Sequence, residues 1–260
     1  MIQNMKGIDQ YSGFAKIYDY LLTANYKNNI KNLIRTIQEH YPDIKNAVLA
    51  DIGGGTGYVT YQIYNLVKKI IMIEPSEAMF KIAKSKYNPR KHTNIELMQG
   101  GFTDCGLEEN SIDIVIIIND PFQYLLSVND QLLALKEIHR SLTQGGLLFI
   151  DNMNFFSLIR RYRWPKMMEF NIDNNTITIM NQHHVFPIKE QWIHTYNIFI
   201  KNNETGEIKR IVSKHILKMI SPTEMRLLLK ETGFIKIEIS GSPQPQDRVS
   251  TRMWCFAYKS

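Results

Sequence analysis

The chain has 260 residues, 44% of them hydrophobic, enough to fill a sizeable core, so a small scaffold stapled by disulfides or zinc is excluded. Lys and Arg exceed Asp and Glu by 31 − 25 = 6, but the charges are scattered and read as a solvated face, so nucleic acid is an unlikely partner. Cys105 and Cys255 lie outside any metal-ligand spacing, and the longest aliphatic run, residues 114–118, is too short for a bilayer; a cytoplasmic protein without membrane contact or bound metal is expected.

Near the N-terminus, YSGFAKIYDYLL puts Phe14, Ile17, Tyr18 and Leu21 on one helical face, and Ile30, Leu33, Ile34 and Ile37 set out a further amphipathic helix that Pro42 ends. Strand and helix patterns then alternate: NAVLADI, a helix over 57–67, KIIMIE, a helix over 76–87, NIELMQ, IDIVIII, a helix over 129–142, and GLLFID. Such alternation marks βαβ units around a parallel sheet. Ser76 and Asn129 read as N-caps, and Gly145-Gly146 as a flexible exit before the fifth strand. Past Asp151 the rhythm changes to three long β-rich stretches, 176–186, 190–202 and 207–219, the last two joined by a hairpin containing Gly206. A capped helix from SPTE and the strands FIKIEIS and RMWCFAYK complete the chain.

The DIGGGTGY stretch, Asp51 to Tyr58, places four glycines at a strand end opening a helix, where backbone N–H groups and the helix terminus meet a ligand. The dinucleotide fingerprint fails, because Tyr58 stands where its third glycine belongs. Glu74, ending the second strand, is placed to accept ribose hydroxyls.

With VLADIGGGTG, IEPSEAM, QGGFTD, IDIVIIINDPF and LTQGGLLFID standing in order, the chain resembles the class I S-adenosylmethionine-dependent methyltransferases, in particular small-molecule N-methyltransferases of the glycine and nucleotide-amino-sugar types. The resemblance implies an α/β, Rossmann-like seven-stranded sheet with an antiparallel last strand, an N-terminal helical lid and an antiparallel β insertion after the fifth strand. The expected domains are 1–151 for lid and cofactor core, 152–220 for the insertion covering the acceptor, and 221–260 completing the sheet. It implies S-adenosyl-L-methionine as cofactor, leaving as S-adenosyl-L-homocysteine, held by Tyr11, Asp51, Gly53, Gly55, Gly57, Glu74, Met79, Phe102 and Asn119. Gly101 replaces the family's usual acidic residue, and Asp104 is the candidate substitute. Tyr18 and His194 are the candidate catalytic residues, His194 as a proton acceptor on the same strand face as Trp192 and Tyr196. Arg160, Arg161 and Arg163 form a basic cluster able to grip an anion. Asn119-Asp-Pro-Phe122 is close to the Asn-Pro-Pro-aromatic motif of amino-methyltransferases but carries Asp120, and reads as a plain strand-to-helix turn. The expected acceptor is a small molecule methylated on nitrogen or oxygen, with a homodimer a possible assembly. An RNA methyltransferase and a non-catalytic cofactor-binding subunit are the alternatives.

Overall fold

In a computed structural model, which describes residues 15–161, 166–241 and 250–260, two sheets divide the protein. The chain runs α1 (Ala15–His40), β1 (Val48–Ile52), α2 (Tyr58–Ile63), β2 (Lys69–Glu74), α3 (Glu77–Lys86), β3 (Ile95–Gln99), β4 (Ile112–Ile117), α4 (Val128–Ser141) and β5 (Leu142–Met153). It continues with α5 (Phe155–Arg161), β6 (Lys166–Ile172), β7 (Asn175–Phe186), β8 (Gln191–Asn202), β9 (Ile208–Lys218), α6 (Pro222–Glu231), β10 (Phe234–Gly241) and β11 (Arg252–Lys259).

The larger sheet has seven strands in the order β10-β11-β5-β4-β1-β2-β3, with β11 antiparallel to both neighbours and the pairings from β5 to β3 parallel. Alternation divides its side chains between two faces. Leu49, Ile70, Ile114 and Phe149 pack with Leu33 and Ile37 of α1 and Ile63 of α2. Ala50, Ile71, Val115 and Ile150 pack with Leu135 and Ile138 of α4 and Leu229 of α6. Covering on both faces explains why these strands are almost continuously apolar.

Local signals account for most boundaries. The Ser76 and Ser127 side chains accept from Met79 N and Asp130 N, and Ser221 with Glu224 forms a capping box behind Pro222. Ser127, not Asn129, therefore caps α4: its hydroxyl is three residues before the Asp130 N–H that it accepts. The expected lid helix and the helix before β1 are parts of one helix, α1, since no breaker separates their patterns. Gly145 and Gly146 fall within β5 rather than before it, beside a register shift between Ile112 and Ile114 against that strand.

The second sheet is antiparallel, in the order β6-β7-β8-β9, one strand more than the three expected. Its inward face is banded. Ile177, Ile179 and Ile198 pack with Ala15, Ile17 and Met79, fastening one end of the sheet to α1 and α3. At the other end Trp192 and Leu217 pack with Phe155. Between these apolar ends run two polar rows, Asn181, Tyr196 and Ser213, then His183, His194 and His215, fixed by the β7-β8-β9 register. No helix of the described residues is long and apolar enough to cross a membrane.

Candidate active site

Gly53, Gly54, Gly55 and Gly57 follow β1, and the N–H groups of Gly53 and Gly54 donate to Ile73 O at 2.8 and 3.1 Å, tying the loop to the end of β2. The four glycines answer different needs. A Cβ on Gly53 would come within 2.5 Å of Pro121 Cβ, one on Gly54 within 2.6 Å of Met72 Cγ, and one on Gly57 would collide with the Tyr87 hydroxyl. These three positions are closed by the protein itself. Gly55, with φ +61°, has among the described residues only the Tyr18 ring near the place of a Cβ, at 3.8 Å, so that side of its backbone faces space where a ligand can approach. A cleft lined by Tyr18, Asp51, Gly53, Gly54, Gly55, Tyr58, Val59, Ile118 and Asn119 lies there.

Two buried carboxylates flank this loop. Glu74 Oε2 accepts the Gly55 N–H at 2.8 Å and Oε1 the Ser76 N–H at 2.7 Å, which aims the carboxylate at the loop mouth. Asp51 accepts from Thr60 Oγ1 at 2.5 Å, and burial raises its carboxyl to about 6 against the lesser opposing pull of that hydrogen bond. An ammonium beside Asp51 would recover the charge pairing that burial denies it.

Of the residues expected at the adenine end, Phe102 falls beside the loop. Phe102 is buried edge-on against Phe122, with its ring tip 3.9 Å from where a Gly53 Cβ would stand. Asp104 turns back to accept the Gly101 N–H at 3.0 Å. Met79 is instead buried in the cluster joining α3, α1 and the second sheet. Tyr11 and Arg163 lie outside the described residues, as do the side chains of Arg160 and Arg161.

Helix α1 is latched across the loop. Asn119 Nδ2 donates to the Tyr18 hydroxyl at 2.8 Å. Asp19 accepts from the Thr56 hydroxyl and pairs with Lys86, whose Nζ also donates to Thr56 O at 2.8 Å. Sequence reasoning missed Asp19, although its place beside Tyr18 was a usable signal. Burial raises the Tyr18 phenol well above its ordinary value, keeping it neutral.

The turn after β4 is strained rather than plain. Asn119 and Asp120 have φ of 68° and 78°, both left-handed and neither glycine, a conformation costing on the order of 1 to 3 kcal/mol per residue and held only by its surroundings. Those surroundings come from the far end of the chain. Asp151 O accepts Asp120 N–H at 3.1 Å, and Asp151 Oδ2 accepts Asn119 N–H at 3.3 Å. Asp151 Oδ1 accepts from Arg252 Nε at 2.8 Å and Trp254 Nε1 at 3.0 Å, while Arg252 Nη2 lies 2.9 Å from Asp120 Oδ1, off the hydrogen-bonding line. This network joins residues 101 to 103 positions apart, beyond the reach of any local pattern.

Opposite the turn stands the polar band of the second sheet. His215 Nδ1 lies 2.7 Å from the Tyr124 hydroxyl and its Nε2 2.8 Å from Ser213 Oγ. His183 Nδ1 accepts the Trp192 indole N–H at 3.0 Å. His194 lies between His183 and Tyr196 in tilted ring contacts, at 4.1 and 3.9 Å between centroids, and its buried Nε2 has no hydrogen-bond partner among the described residues. Burial lowers His194 to about 2 and His215 to about 4, so both are neutral rings near pH 7. A ring so reluctant to take a proton is suited to hydrogen bonding and poorly suited to the role of base first expected of His194.

Residues 49–146 match the family of methyltransferase domains. An uncharacterized methyltransferase of Oceanobacillus iheyensis is 31% identical over 150 residues, spanning 56% of this chain and 67% of the relative. Among solved structures, an S-adenosylmethionine-dependent methyltransferase of Clostridium acetobutylicum superposes with a TM-score of 0.76 at 18% identity, covering 96% of this chain and 99% of its own. CalS10, an amino pentose methyltransferase of Micromonospora echinaspora with S-adenosylmethionine bound, superposes at 0.72 and 14% identity, covering 94% and 97%. A seven-stranded sheet of this order, an open Gly55 backbone between two buried carboxylates, and these likenesses converge on one assignment: the chain belongs to the S-adenosylmethionine-dependent methyltransferases, and S-adenosylmethionine is its cofactor.

Proposed function

We propose that the protein moves a methyl group to a nitrogen or oxygen of a small-molecule acceptor by direct in-line displacement. The observation that carries this reading is the polar band: Asn181, Tyr196, Ser213, His194 and His215 line the inward face of the second sheet between two apolar ends that fasten it. A buried, uncharged hydrogen-bonding surface suits a small polar molecule and offers nothing to a phosphate backbone. The fold likeness to an amino pentose methyltransferase supports the same choice.

In this reading Asp51 takes the cofactor's ammonium, Glu74 its ribose hydroxyls, the Gly55 backbone its methionine portion, and Phe102 its adenine. Gly53 and Gly57 act through loop shape, and Met79 by supporting α3. Bound there, the cofactor supplies a methyl group already activated on sulfur, so the protein's own task is alignment and exclusion of water. Tyr18 and Asn119 close the cleft from above, and His194 orients the acceptor as a neutral hydrogen-bonding ring. The test is mass spectrometry of cell extract incubated with the protein and deuteriomethyl-labelled cofactor. Label in the small-molecule fraction is expected; label confined to RNA or protein would overturn the reading.

A further inference from the structure

Asp120, Arg252 and Asp151 bring two carboxylates and one guanidinium together, a net charge of 1 − 2 = −1, with Asp151 fully buried and the Asp120 and Arg252 side chains only 13% and 15% exposed. Among the described residues Arg252 is the cation that bears on the Asp120 carboxyl. A buried excess of negative charge is costly unless a cation meets it. In the reading above Asp51 meets the cofactor's ammonium, so the negative charge that one Arg252 guanidinium leaves unbalanced between Asp120 and Asp151 is open to another cation.

The surroundings of Asp120 indicate which. Asp120 lies in the turn between Asn119, which lines the cleft and donates to the Tyr18 hydroxyl at 2.8 Å, and Tyr124, whose hydroxyl lies 2.7 Å from His215 Nδ1 of the polar band, so it stands between the cofactor cleft and that band. Its left-handed backbone, fastened through Asp151 O, holds the turn in that place.

We propose that Asp120 is a catalytic residue, whose carboxylate binds the protonated nitrogen of an amine acceptor and takes its proton before methyl transfer. The proposal rests on the small-molecule reading above and narrows it to ammonium-bearing acceptors. The N–H bond breaks and its proton forms an O–H bond on Asp120, leaving a neutral amine with a free lone pair. That lone pair forms the N–C bond to the methyl carbon as the C–S bond breaks, its electron pair leaving on a neutral thioether sulfur. The methylated ammonium then sheds a proton to solvent, as does Asp120. Burial raises the Asp120 carboxyl against the pull of Arg252, which moves it in the direction a base for an ammonium requires. The groups facing it are the phenols of Tyr18 and Tyr196, the Arg252 guanidinium and the Asp151 carboxylate; the two phenols are held neutral by burial.

The test uses the full chain with deuteriomethyl-labelled cofactor and a small-molecule extract divided by cation exchange into amine and non-amine fractions. Label should enter the amine fraction, and Asp120→Asn should lower its rate about 100-fold and abolish the rise in rate with pH. S-Adenosylhomocysteine affinity should stay within twofold, and Asp120→Glu should restore at least a tenth of the rate. Label only in the non-amine fraction, an Asp120→Asn rate within threefold of the original, or loss of cofactor binding in both variants would overturn the assignment while leaving the small-molecule reading standing. Label absent from both fractions and present in RNA would overturn both.

Discussion

The two sheets solve opposite problems. In the seven-stranded sheet β1, β2 and β4 are apolar on both faces through their middles, with Lys69 and Asp113 at N-terminal ends and Asp51, Glu74 and, just past β4, Asp120 at the C-terminal side. In the four-stranded sheet the inward face itself is polar across its middle, and apolar contacts are confined to its ends. A surface of the first kind builds one rigid cofactor site and leaves the strand interiors free for packing. The second kind sacrifices interior packing for a hydrogen-bonding wall. This difference fits a common cofactor held by the core and a particular acceptor met by the added sheet.

The largest expected effect is on the core. Asp151→Ala removes the fully buried carboxylate that accepts from Arg252, Trp254 and the Asn119 N–H, and each buried donor left unmatched costs about 1 to 3 kcal/mol. Calorimetric melting should fall by about 10 °C, in one transition. Next, Gly55→Val should weaken S-adenosylhomocysteine binding about 100-fold, or ~3 kcal/mol, in a protein that still folds, because only this glycine of the loop faces open space. Isothermal titration beside circular dichroism checks both halves.

Acid separates the sheets in sign. His194 and His215 are held far below the ordinary histidine range, so their folded state resists protons that the unfolded chain takes up. Stability from these rings is complete above pH 6.5 and is lost as pH falls, by roughly 2 to 3 kcal/mol per ring between pH 6.5 and 4.5. Asp51 is raised to about 6, so the folded core gains a proton first and is stabilised as pH falls from 6 toward 4. Amide exchange at pH 4.5, corrected for intrinsic rates, should therefore quicken in β8 and β9 and not in β1. The smallest effect is expected at Gly233, the left-handed residue after α6 with φ +91°. Gly233→Ala should cost about 1 kcal/mol in melting experiments and leave cofactor affinity intact.

The same contrast governs what could be read in advance. Alternating strand and helix patterns, the Ser76 and Ser221 caps and the Gly233 turn are local, and each stood legible in its own few residues. So did Asp51, Gly55 and Glu74, because a strand end followed by glycines has a restricted set of uses. Strand β6, KMMEFNI, has one β-branched residue and takes its register from β7, so its own sequence carries little signal. The seven residues of α5 are too few for a helical period. The sequence does not separate the loop glycines from one another, because the groups that close three of them, Pro121, Met72 and Tyr87, are distant in sequence. The strain at Asn119 and Asp120 is likewise hidden, since Asp151 holds Asn119 from 32 positions away and is itself held by Arg252 and Trp254, 101 and 103 positions further on.

Hydrogen exchange mapped with and without S-adenosylhomocysteine tests the division of labour most directly. The cofactor product alone should slow exchange in residues 51–58, 74–79 and 100–104 and in the first turns of α1, while β7, β8 and β9 remain unchanged across their polar rows. Protection of those three strands by the cofactor product, with the glycine loop unaffected, would contradict the assignment of the cofactor to the core and of the acceptor to the second sheet.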